Sequence, residues 1–291
     1  MKISNRTDLK KTTTESRAPF RKLIQGVAFL FLILICPSMT WATVFTWPLA
    51  PAWSGTGPTN GNSETVDYFA GGTGFGVSVT VANSGVTLNA GYPQVQTEST
   101  ATFTGGTNSK TIGTLQMLNT SSASTASFTK VTINFNYVGG VTNPTFQLWD
   151  VDASAGQFVD TIKNLQATTT TGATIYPSTI TPTATFNQVT GSGASAVITG
   201  LQSATNNTAQ GTVDIAFTGT VTSISFQWSN GDAGLGAQGI GISPITFTPV
   251  GAAFPEVNSS SAALMLCGGV MGFGLVRRRR GAERLQYQLH A

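Results

Sequence analysis

The chain is short of charge, of histidine and of thiols. Only 9% of its 291 residues are charged, against about 25% in ordinary soluble proteins. Its one histidine, His290, is the penultimate residue, so the body of the chain has no imidazole for a Ser-His-Asp or Cys-His arrangement or for a His-ligated zinc. The two cysteines, Cys36 and Cys267, lie in apolar runs near the ends. What separates them has no thiol for a disulfide scaffold, a Cys metal site or a cysteine nucleophile. Every Arg falls in the first 21 residues or from Arg277 onward, and between Thr43 and Phe254 the only cations are Lys110, Lys130 and Lys163. Glu64, Asp67, Glu98, Asp150, Asp152, Asp160, Asp214 and Asp232 lie in the same 212 residues, so three positive charges meet eight negative ones and leave −5. The basic footprint of a nucleic-acid-binding protein is therefore absent.

What charge there is marks the ends. Lys2, Arg6, Lys10, Lys11, Arg17, Arg21 and Lys22 precede an unbroken apolar run at 26–36 (GVAFLFLILIC). A basic segment followed by a short apolar one and then small residues, here Thr40 and Ala42, is the pattern of a secretory signal peptide over residues 1–42, cut before Thr43. The run is about half of the ~20 residues that span a bilayer, which disfavours an uncleaved anchor. Sec export machinery and a signal peptidase are the partners this segment implies. At the other end Phe254-Pro255-Glu256-Val257 and a polar spacer to residue 261 lead into an apolar, Gly-rich stretch at 262–276. Arg277, Arg278, Arg279 and Arg280 follow, and residues 277–291 form a basic tail. Four arginines closing an apolar stretch would stay on the cytoplasmic side of a membrane helix, leaving the body of the protein outside.

The three-part tail resembles the PEP-CTERM sorting signal of Gram-negative bacteria, in which a Pro-Glu-Pro motif, a short transmembrane segment and an Arg cluster stand in that order. Pro255 and Glu256 match the motif, and Val257 stands where the second Pro would be. The resemblance implies an exosortase-type membrane protease as partner and delivery to the cell envelope or the extracellular polysaccharide matrix.

Between these ends, residues 43–254 are rich in Thr, Ser, Gly, Asn and Val and poor in good helix formers, which predicts an all-β domain. Period-two alternation at 131–137 (VTINFNY), 213–217 (VDIAF) and 222–228 (TSISFQW) marks strands. The run at 242–250 is interrupted by Pro244 and Pro249, which predicts an edge strand. Glycine pairs and Ser-Gly or Asn-Gly steps at 71, 84, 105, 139 and 230 predict turns. An internal echo relates 131–135 and 141–149 to 213–217 and 221–228. Each copy reads as a hairpin with one apolar face, and two such hairpins facing one another predict a single β-sandwich. The first copy ends in FQLWDVD at 146–152 and is followed by GQFVDTI at 156–162. This Asp-x-Asp strand end, with an Asp on the next strand, resembles a jelly-roll-like domain of bacterial surface proteins.

Asp150, Asp152 and Asp160 are candidate calcium ligands, because hard carboxylate oxygens converging on one loop suit that ion. The alternative is that they cap turns through local hydrogen bonds. Asn230 and Asp232 hold the matching place in the second copy. Aligning the copies sets Leu148 against Trp228 on the core side and puts Trp149 on the Gln147 face, where an exposed indole would stack on a sugar ring and where the commoner alternative is an indole covered by a loop. Trp47 and Trp53 would either do the same or seal the sandwich. Glu64, Glu98 and the aspartates keep two-carboxylate glycan hydrolysis formally open, yet no Glu-x-Asp-x-Glu spacing sets a pair across a cleft. The Thr-rich segment 168–185 is broken by Pro177 and Pro182, which favours an ordinary solvent face over a flat Thr ladder. The reading is an exported, non-catalytic surface or matrix protein with a structural or adhesive role. Its rival is a calcium-assisted exopolysaccharide-binding module.

Overall fold

The computed structural model describes residues 42–55, 58–69, 76–96, 114–120, 126–205, 208–232, 234 and 236–251. The expected signal peptide through residue 41, the expected sorting residues Pro255, Glu256 and Arg277 to Arg280, the apolar stretch 262–276 and Glu98 lie outside the described residues, as do the turns expected at 71 and 105. Among the described residues no helix is long and apolar enough to cross a membrane.

The domain is all-β, as the composition requires. Its strands are β1 (Thr43–Phe45), β2 (Ser63–Phe69), β3 (Gly76–Ser84), β4 (Gln94–Gln96), β5 (Thr114–Thr120), β6 (Phe128–Asn136), β7 (Val141–Trp149), β8 (Ala153–Ser154) and β9 (Phe158–Thr169). They continue as β10 (Thr174–Ile175), β11 (Thr179–Pro182), β12 (Asn187–Thr190), β13 (Val197–Gly200), β14 (Val213–Ala216), β15 (Thr220–Asn230), β16 (Ala237–Ile242) and β17 (Ile245–Pro249). All pairings are antiparallel, and the sheet curls so that its apolar faces meet. One run of neighbours is β2-β3-β6-β15-β9-β13-β12. The other is β11-β14-β7-β17-β1, with β16, β5 and β4 continuing beside the end of β7.

The two sequence copies do not close as hairpins. β6 pairs with β15, setting Phe226 opposite Val131, and β7 pairs with β14, setting Val213 opposite Leu148. The turn after β6 and the turn after β14 each carry the chain from one run of neighbours to the other. Gly140 makes the first crossing feasible: its φ is +72°, and a Cβ there would lie 2.5 Å from the Val221 carbonyl oxygen. The alternation correctly set the inward residues, since Phe146, Leu148, Phe226 and Trp228 are all buried in one core with Val131, Ile133 and Ile162. Phe135 of β6 meets Phe247 of β17 edge to face at 5.2 Å, tying the two runs across that core.

The prolines at 244 and 249 do not make an edge. Pro244 divides the run into β16 and β17, Pro249 sits opposite Val141 at the strand's last position, and β17 lies between β7 and β1. A Pro at a break or a strand end costs no ladder bond, so an interior place is open to it. Trp47 and Trp53 are buried core residues, and the Trp47 indole donates to the Ser243 carbonyl at 2.9 Å. They seal the domain.

Candidate functional site

Two polar constellations flank the end of β7, one facing inward and one outward. The inward one begins where β7 stops. Asp150 takes a left-handed backbone, φ +61°, which turns the chain so that the Val151 N–H reaches the Gly211 carbonyl at 2.9 Å. Asp152 follows and Asp160 enters β9, with its N–H on the Asp152 carbonyl at 2.9 Å. Asp160 is fully buried; its carboxyl accepts from the Trp228 indole at 2.8 Å and from the Asp152 N–H at 3.2 Å. Asp152 accepts from the Ala204 N–H at 2.7 Å. Gly200 packs so closely on this turn that a Cβ would fall 1.8 Å from the Asp152 carbonyl oxygen.

The structure therefore brings the three aspartates together, and burial dominates their chemistry. Burial, reinforced by the neighbouring Asp152 charge, pushes Asp150 up to about 8. Burial raises Asp152 as well, partly offset by the Ala204 N–H and a hydrogen bond with Asp160. Asp160 is driven well above the carboxylate range by burial and then by Asp152. Two buried carboxyls in hydrogen-bond contact favour sharing a proton over ionising together. Among the described residues no group of three His, Cys, Asp or Glu side chains is disposed to hold a metal ion. N–H donors already occupy one oxygen of Asp152 and both oxygens of Asp160. Asn230 is spent on its own turn: its Oδ1 accepts from the Val159 and Asp232 N–H groups, and its Nδ2 donates to the Gly234 carbonyl.

The outward constellation is a groove of about 380 Å³ on the exposed face of β11, β14, β7 and β17. Register builds it. Thr179, Ala216, Thr145 and Thr246 stand side by side on four adjacent strands, a span of about 14 Å at the usual strand spacing. One step along β7, Gln147 pairs with Asp214, and its Nε2 donates to the Asp214 carboxylate at 2.6 Å. Its Oε1 accepts from the Trp149 indole at 2.8 Å. An indole only donates and a carboxylate only accepts, so the two partners fix which way the amide points.

Trp149 follows the covered alternative instead of the stacking one. It lies on the Gln147 face and outside the core cluster, as the alternation implied, but only 4% of it is exposed. Its ring has no free face to stack on; it orients Gln147 instead. Thr145, Thr179, Asp214, Ser243 and Thr246 line the groove without having been singled out in the sequence. Alternation places Thr145, Gln147 and Asp214 outward, which is the one signal of this site the sequence holds.

No family model and no curated protein matches the chain. Among solved structures it is similar to the N-terminal domain of the Streptococcus gordonii adhesin Sgo0707, at 11% identity and a TM-score of 0.34 over 72% of this chain. The chain spans about half of that structure, 50% of its length. It is also similar to a family 11 carbohydrate-binding module from Clostridium thermocellum, solved with a β-1,3-1,4-mixed-linked tetrasaccharide, at 10% identity and a TM-score of 0.28, covering 65% of this chain and 96% of that one.

Proposed function

We propose that this chain is an exported, non-catalytic surface or matrix protein whose β-domain binds a neutral polysaccharide in the outward groove. The groove carries the reading: a rank of Thr side chains beside an oriented Gln147–Asp214 pair offers hydroxyl, amide and carboxylate partners at fixed positions. Sites of this kind combine apolar walls with a few placed polar groups. No Lys or Arg lines it, so an anionic polymer would meet a carboxylate without a counter-charge. Asp214 is its one acid, whereas two-carboxylate hydrolysis works with a pair about 5 to 9.5 Å apart. Export and sorting rest on the basic-apolar start and the Pro255-Glu256, apolar and four-Arg tail.

Binding of the full chain to a panel of neutral and acidic polysaccharides, the host's own matrix included, tests the groove. Saturable binding to a neutral polymer is expected, weakened about tenfold or more by Asp214→Ala, as for loss of a charged hydrogen-bond partner. Binding to none of them would leave the structural or adhesive reading in its place. For sorting, mature protein from the native host is expected to lack Arg277 to Arg280, and an intact mass that retains them would exclude cleavage.

A further inference from the structure

Val138 tips the turn between β6 and β7 and is 87% exposed. Phe69, at the end of β2, faces the same end of the domain, since the register runs from Phe69 through Gly76 to Asn136. Val44 and Leu49 are also exposed. Of these, Val44 pairs with Thr246 at the level of the groove, so Val138 and Phe69 are the two exposed apolar side chains that the register places at this end. Val44 and Phe69 border a pocket of about 280 Å³ floored by Tyr68, Tyr137 and Phe247, and its lining includes no charged side chain. Scattered apolar residues on a surface need no explanation, but a gathered uncharged set marks an interaction face.

The chain leaves the domain at this same end. Val250 accepts from the Gly139 N–H at 3.2 Å, beside Val138, and Thr43 pairs with Phe247. The apolar stretch that begins at Ala262 is only eleven residues beyond Gly251. Even fully extended, eleven residues span at most about 40 Å, which ties this end of the domain closely to whatever the stretch enters.

We propose that, while the C-terminal stretch is embedded, the Val138–Phe69 end of the domain seats on the lipid surface. The inference rests on the membrane-anchor reading of that stretch. Seating would stand the strands away from the bilayer and leave the groove on the domain's side wall open.

The test places an environment-sensitive fluorophore on the full chain, at Val138→Cys or, at the opposite end, at Ala155→Cys, with Cys36 and Cys267 replaced by Ser. Each labelled chain is reconstituted into phosphatidylcholine vesicles and floated. A blue shift at position 138, quenched by an acyl-chain quencher, with position 155 unchanged, is the expected result. Flotation with both positions equally wet would overturn the seating alone. A chain that does not float would overturn the anchor reading and the seating with it. A blue shift at 138 that the lipid quencher does not touch would assign the face to a second copy and overturn lipid seating.

Discussion

Where β7 ends, Asp150, Asp152 and Asp160 are sunk into the domain, the last two hydrogen-bonded to Ala204 and Trp228; where β7 begins, Val138 stands in water beside an uncharged aromatic pocket. One end hides polarity and the other displays apolarity, the reverse of what either residue class prefers. Hidden carboxyls are tolerable because they keep protons and find N–H donors. Displayed apolar groups have no such internal remedy. The first end is thus complete within the fold, and the second gains by finding something outside it.

A series of substitutions and conditions probes that contrast. Trp228→Ala should do most damage, removing a buried ring and the donor on Asp160, with about 3–5 kcal/mol lost in chemical denaturation. Raising the pH comes next. A carboxyl whose folded pKa lies above its unfolded value of 3.8 stabilises fully below that value, and the contribution disappears as pH rises to the folded pKa, about 8 for Asp150. Denaturation midpoints should therefore fall as the pH rises from 5 to 8. Asp150→Asn should flatten the slope. Melts with calcium and with chelator should coincide; a calcium-dependent rise that disappears in Asp152→Ala would reassign the three carboxylates to that ion. Smaller still, Trp149→Phe should leave the fold intact but free Gln147, weakening polysaccharide binding about fivefold, the worth of one ordinary hydrogen bond. Val138→Ser should move stability by no more than about 0.5 kcal/mol. A large loss there would mean that the displayed end supports the fold.

Alternation and composition made the strands and their inward faces legible. The runs at 131–137, 213–217 and 222–228 lie within or overlap β6, β14 and β15 to within two or three residues. Partners were not legible, because a period of two says which side chains face inward and nothing about which strand lies alongside. The echo consequently read as two hairpins where the chain crosses between layers instead. The aspartate trio was found because Asp-x-Asp and the next-strand Asp are close in sequence. The groove escaped because Thr179, Ala216, Thr145 and Thr246 meet only through register, across more than one hundred positions of chain. Trp149 was placed on the right face, but its cover comes from neighbours that no local pattern names.

The pairing of β1 with β17 bears on when the domain can exist. The first described strand is completed by the last, and β7 waits for β14, β16 and β17, so the core cannot close on a partial chain. Pairings this distant in sequence form slowly. A polypeptide released N-terminus first, whether from a ribosome or a translocation pore, would remain a pliable thread until position 249 was free, and would lock shut only after its whole length had passed through.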